Sequence, residues 1–114
     1  MSGSIKKLLI VDDEVRIGKL ISTVIRWDEL KLTCAGVLTN GGTAWEAIQQ
    51  ERPDIVITDI QMPVMNGLEL IRMTREAEIP VSFIVLSGYQ EFEYAKTAMQ
   101  YGVEQYLVDR KSVV

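Results

Sequence analysis

Short apolar runs alternate along the chain with stretches in which apolar residues recur every three or four positions. Lys7–Val11 reads as a continuous apolar run, as expected for a strand buried on both faces of a sheet. Over Val15–Trp27, residues Ile17, Leu20, Ile21 and Val24 fall at helical spacing. Lys31–Leu38 reads as a second strand. Thr43–Glu51 predicts a helix with Ala44, Ala47 and Ile48 on one face, Gly41-Gly42 ahead of it and Pro53 ending it. Asp54–Thr58 is a third buried strand running into Asp59. Asn66 is placed to cap a helix over Gly67–Glu76, whose apolar positions are Leu68, Leu70, Ile71 and Met73. Val81–Leu86 predicts a fourth strand, Glu91–Tyr101 a fourth helix stopped by Gly102, and Glu104–Val108 a fifth strand.

This strand–helix alternation, with buried strands, implies a parallel sheet with helices on both faces. The expected architecture is one α/β domain over residues 1–114, doubly wound and flavodoxin-like, with strand order 2-1-3-4-5. A fold of this kind closes with a helix after its last strand. Only Asp109–Val114 remain, too few for a stable helix. The expectation is therefore a truncated chain with one flank of the sheet open, which dimerises, swaps segments or is marginally stable. A monomer in light scattering, melting at an ordinary temperature, would refute it.

Composition narrows the chemistry. The chain contains no histidine, which excludes Ser-His-Asp and Cys-His catalysis, histidine zinc sites and a phosphohistidine carrier. Phosphoryl chemistry here must use carboxylates and hydroxyls. The net charge of −4 offers no electrostatic basis for direct nucleic-acid binding. No apolar run approaches the length of a membrane span. The start, Met1-Ser2-Gly3-Ser4, lacks the basic-then-apolar order of a signal peptide, and Ser2-Gly3-Ser4 reads either as a cloning remnant or as a native start. A lone cysteine, Cys34, fits a reducing cytoplasm, and its apolar surroundings predict a buried position.

The acidic residues fall at strand ends. Asp12 and Asp13 follow the first strand and Asp59 the third. In the order 2-1-3-4-5 those strands are neighbours, and their carboxyl ends flank the switch point where ligands bind in open α/β sheets. Three carboxylates gathered there repel one another, and a hard divalent cation relieves the repulsion. Mg²⁺ suits oxygen ligands and keeps several waters. The expected ligands are Asp13, Asp59 and the backbone carbonyl of Gln61, with Asp12 acting partly through a metal-bound water. The plainer alternative is that Asp13 or Glu14 only caps the helix beginning near Val15.

Five segments in order carry a family resemblance: Leu9-Ile10-Val11-Asp12-Asp13-Glu14, Pro53-Asp54-Ile55-Val56-Ile57-Thr58-Asp59, Met62-Pro63-Val64-Met65-Asn66-Gly67, Leu86-Ser87-Gly88-Tyr89 and Gly102-Val103-Glu104-Gln105-Tyr106-Leu107. Over nearly its whole length the chain resembles the receiver domain of two-component response regulators. That resemblance implies that Asp59 is the phosphoacceptor and Asp12 and Asp13 the metal-binding acidic pair. It also implies that Ser87 is the hydroxyl that hydrogen-bonds the phosphoryl group and Tyr106 the aromatic switch. Without the resemblance, Ser87 reads as an ordinary loop serine and Tyr106 as an ordinary strand aromatic. The domain itself is then no enzyme beyond its own phosphorylation and dephosphorylation. The segment from Ser87 to Lys96 is similar to receivers fused to AraC-type helix-turn-helix output domains. This implies a cytoplasmic transcription regulator paired with a membrane sensor histidine kinase, the DNA-binding domain lying outside this chain.

One departure stands out. The family places a lysine three residues after the Tyr106 position, usually followed by proline, where this chain has Asp109 and Arg110. The family lysine contacts the phosphoryl oxygens. A carboxylate at about 5 Å, with an effective dielectric near 20, would oppose each phosphoryl charge by roughly 3 kcal/mol. Either Arg110 or Lys111 supplies the cation through a bend in the backbone, or residues are missing here, or the receiver is degenerate. Other readings meet specific obstacles. A haloacid-dehalogenase-type phosphatase wants a second aspartate where Gln61 stands, and a flavodoxin-like flavin binder wants a Ser/Thr/Gly-rich loop where the chain has Asp12-Asp13-Glu14. A stand-alone receiver acting by protein contact remains an alternative to the fused form.

Overall fold

The computed structural model describes residues 4–87, 96–97, 99–103 and 105–108, with the backbone alone considered at 87 and 105–108. The elements are β1 (Lys6–Val11), α1 (Val15–Val24), α2 (Trp27–Leu30), β2 (Leu32–Leu38), α3 (Gly41–Glu51), β3 (Ile55–Asp59), α4 (Gly67–Glu76), β4 (Ser82–Ser87) and β5 (Gln105–Val108). All strand pairs are parallel and the sheet order is β2-β1-β3-β4-β5, the flavodoxin-like topology expected from the alternation. The predicted fourth helix falls mostly outside the described residues, among which 96–97 and 99–100 are helical. Asp109–Val114 lie outside them altogether.

One face of the sheet holds the main core. Leu9 and Val11 of β1, Val56 of β3 and Phe83 and Val85 of β4 pack with Ala44 and Ile48 of α3 and Leu70 and Ile71 of α4. Full burial of a Leu, Ile or Phe side chain is worth roughly 1.5–3 kcal/mol, so this layer sets the positions of α3 and α4. The opposite face belongs to α1. Gly18 is buried in α1, and a Cβ there would lie 2.7 Å from the Cγ1 of Val37. Val37 is the register partner of Ile10, which places α1 over Leu8 and Ile10, both buried. Farther along the same face Ile57 and Ile84, which follow Ile10 across the sheet, are half-buried.

The structure revises three sequence expectations. The helix expected over Val15–Trp27 ends at Val24, where Ile25 turns extended at ψ 135°. Trp27 opens the separate α2 and donates its indole N–H to the Ser22 carbonyl at 2.8 Å. Leu20 and Val24, two of the residues at helical spacing, are 51% and 65% exposed, while Gly18 makes the close approach to β2. Gly41 and Gly42 form the first turn of α3 instead of preceding it, with Asn40 capping through its side chain to the Thr43 N–H. Cys34 is exposed. Its apolar neighbours suggested a core strand, but β2 is the outer strand of the sheet, where apolar sequence does not ensure cover from both flanks.

Candidate functional site at the carboxyl ends of β1 and β3

Val11, the last residue of β1, is in register with Thr58 of β3. The next residues along the two strands are Asp12 and Asp59, so the sheet itself brings them level. Asp13 follows in the turn into α1. One carboxylate oxygen from each of Asp12, Asp13 and Asp59 can be chosen so that all lie within 4.8 Å of one another. Asp12 is 6% exposed, Asp59 half-buried and Asp13 exposed, so the cluster opens to solvent on one side.

Local backbone fixes each acid. The Asp12 N–H donates to the Leu38 carbonyl at 2.9 Å, tying the end of β1 to β2. The Asp12 Oδ1 accepts from the Glu14 N–H at 2.9 Å, which shapes the turn into α1. Glu14 is the N-cap residue and makes no side-chain cap bond. The capping alternative, which named Asp13 or Glu14, gains no side-chain cap bond from Glu14; Asp12 instead braces the turn without drawing the carboxylates apart. The Asp59 Oδ1 accepts from the Ile60 N–H at 2.7 Å.

The loop after β3 is held just as tightly. The Gly67 N–H donates to the Ile60 carbonyl at 2.7 Å, and a Cβ on Gly67 would lie 2.2 Å from the Asp59 carbonyl oxygen. Only glycine lets α4 begin this close to the acid. Asn66 and Glu69 form a reciprocal capping box at that helix start, Asn66 Oδ1 accepting from the Glu69 N–H at 2.9 Å and Glu69 Oε1 from the Asn66 N–H at 3.1 Å. A second close approach supports the loop from α3, since a Cβ on Gly41 would lie 2.0 Å from the Met65 carbonyl oxygen.

Burial pushes the Asp59 carboxyl up to about 7; the Ile60 N–H opposes the rise, while the charges of Asp12 and Asp13 and a hydrogen bond with Asp13 add to it. Crowded carboxylates of this kind fit a hard divalent cation, and an all-oxygen donor set favours Mg²⁺ over softer metals. Gln61 lies in the exposed loop two residues beyond Asp59, and the grouping of ligand atoms rests on the three carboxylates alone.

The remaining predicted residues occupy the same end of the sheet. Leu86 is in register with Asp59, which puts Ser87 one residue beyond that level on the adjacent strand. Tyr106 in β5 pairs with Val85. The side chains of Ser87 and Tyr106, and the whole of Asp109, Arg110 and Lys111, lie outside the described residues. Sequence reasoning missed the close approaches at Gly41 and Gly67, although a glycine at each of two helix starts was a visible signal.

Comparison with known proteins agrees with this geometry. The sequence matches the response regulator receiver domain over residues 8–111. It is 48% identical over 102 residues to the uncharacterized transcriptional regulatory protein YesN of Bacillus subtilis, covering 90% of this chain and 28% of that protein. It is 36% identical over 102 residues to the transcriptional regulatory protein HptR of Staphylococcus aureus, covering 90% of this chain and 40% of that one. The chain thus spans well under half the length of these curated relatives. Among solved structures, the REC domain of AraT, a response regulator from Geobacillus stearothermophilus, superposes with a TM-score of 0.86 at 35% identity, covering 93% of this chain and 82% of that one. Strand order, clustered carboxylates and a match running from β1 past β5 lead to one assignment: the chain belongs to the response regulator receiver domain family.

Proposed function

We propose that this receiver takes a phosphoryl group on Asp59 in a Mg²⁺-dependent reaction and thereby switches an output domain of a longer protein. The observation that carries the reading is the convergence of Asp12, Asp13 and Asp59 at the carboxyl end of the sheet. Asp12, Asp13 and Asp59, with the Gln61 carbonyl, would hold the cation. When bound, Mg²⁺ neutralises charge on the transferring phosphoryl oxygens. The Asp59 Oδ2 attacks phosphorus as the bond to the donor nitrogen breaks, leaving an acyl phosphate on Asp59 and neutral imidazole on the donor once a proton is taken up. The Ile60 N–H already holds the other Asp59 oxygen and so orients the nucleophile. Ser87, at the end of the adjacent strand, donates a hydrogen bond to the new phosphoryl group and draws the end of β4 inward, and Tyr106 of β5 follows into the space vacated.

The donor is a phosphohistidine on a sensor histidine kinase, and the chain catalyses only its own phosphorylation and dephosphorylation. The transcriptional regulators it resembles support a DNA-binding output, of AraC type by the resemblance of the segment from Ser87 to Lys96. A cytoplasmic site of action fits these roles; among the described residues no helix is long and apolar enough to cross a membrane.

Incubation with Mg²⁺ and acetyl phosphate tests the proposal. Intact-mass measurement should show one labile phosphoryl adduct, absent in Asp59→Ala. A second reading has its own observation, Asp109 in place of the family lysine. If Mg²⁺ binds but no adduct forms, the chain is a degenerate receiver that acts by protein contact.

A further inference from the structure

Arg75 stands in the last turn of α4 and directs its guanidinium away from its own helix. Its Nε donates to the Tyr101 carbonyl at 2.9 Å, one terminal nitrogen to the Val81 carbonyl at 2.8 Å, and the other to the Gly102 carbonyl at 3.2 Å. The guanidinium carbon lies 5.3 Å from the centre of the Phe83 ring, a side chain with no exposure. A guanidinium presents five donors in a rigid planar fork and stacks on aromatic faces. Here that fork spans carbonyls from two segments far apart in sequence, the entry to β4 and the turn ahead of β5.

That turn is a helix end. Residues 99–100 are helical, Tyr101 and Gly102 form the turn, and Gly102 takes a left-handed φ of 71°. The last carbonyls of a helix lack donors of their own, and a cation beside them is favourable. Arg75 supplies donors and charge from a different element. Its bonds to Tyr101 and Gly102 cross 26 and 27 positions of sequence, and Val103, the next residue, packs into the main core.

We propose that Arg75 is a positioning residue, a cap supplied from another element that pins the start of β5 to α4 and β4. β5 is then held at the end opposite the carboxylates and responds to the site at its other end. The pinning stands on the contacts alone; the response rests on the phosphorylation reading.

Hydrogen exchange followed by mass spectrometry on the unphosphorylated chain tests the pinning. In Arg75→Met, amides of residues 99–108 should exchange about tenfold faster, as expected when charge-assisted hydrogen bonds are lost, while β1 and β3 exchange as before. Acceleration spread evenly over the sheet, or none, overturns the proposal. Arg75→Lys keeps the charge but cannot span three carbonyls, so it should loosen the same residues to a lesser degree; it decides the matter if the Met variant fails to fold. Acetyl phosphate and Mg²⁺ then test the response. The Asp59 adduct should form at the original rate in the variants, while the phosphorylation-dependent change in exchange at residues 105–108 is lost in Arg75→Met. A variant that retains that change overturns the role of Arg75 in the response. A parent chain that takes no phosphoryl group sinks the reading of the site, and the unphosphorylated comparison still decides the pinning.

Discussion

Val64 sits in the loop between Asp59 and α4 with φ at 74°, and the Met65 N–H donates to the Pro63 carbonyl at 2.8 Å. A bond from residue i+2 back to residue i around a positive φ is the rare, strained form of the γ-turn, and a β-branched residue is poorly suited to it. The side chain is 84% exposed, so little packing offsets the strain. Val64→Gly should therefore stabilise the chain by about 1 kcal/mol, the relief of a strained φ less the added freedom of glycine when unfolded. A higher urea midpoint at unchanged slope would show this. A lower midpoint would mean that the contact of Val64 over Gly42, where a Cβ would come within 3.1 Å of Val64 Cγ1, outweighs the strain. Nothing in the sequence announces this turn, because valine after proline suggests extended chain. Asp59 was legible for the opposite reason: its place at the end of an apolar run follows from strand periodicity alone.

Among the elements, α4 was read most completely. Asn66 and the following apolar positions predicted its bounds, and the structure adds the reciprocal box with Glu69. Asn66→Ala should lower stability by about 1 kcal/mol, measurable as a lower denaturation midpoint; Asn66→Asp, which keeps an acceptor, should recover most of the loss. An unchanged midpoint in the alanine variant would show that contact between Gly67 and the Asp59 backbone alone fixes the helix start. α1 was read less well, for a physical reason. The spacing of Ile17, Leu20, Ile21 and Val24 establishes a helix, but the side that meets the sheet depends on where the backbones approach most closely. Gly18 against Val37 decides that, and a pairing between residues so distant in sequence is invisible in local periodicity. The exposure of Cys34 has the same origin: strand character is local, whereas an outer place in the sheet is a property of topology.

At the scale of the molecule, folding forces together carboxyl groups that the unfolded chain keeps apart, which ties stability to pH. The Asp59 carboxyl rises from an ordinary 3.8 to about 7, burial being the largest cause and the charges of Asp12 and Asp13 adding to it. Between those values the folded protein keeps the Asp59 proton while the unfolded chain has released it. The folded state then binds more protons, so raising the pH through this window lowers stability, and the loss is complete once pH passes the folded value. A divalent cation held by the ionised cluster, as proposed, would invert the preference, because it would have to displace the proton. Added Mg²⁺ should thus raise the melting temperature strongly at pH 8 and weakly at pH 5.5, with proton release on binding near neutrality. Asp59→Asn, which holds no titrating proton, should flatten the metal-free decline across the same window. Thermal melts at matched ionic strength, with Ca²⁺ and Na⁺ as comparisons, separate site binding from general screening. A Mg²⁺ effect equal at both pH values would mean that the acids at the ends of β1 and β3 do not act as one site.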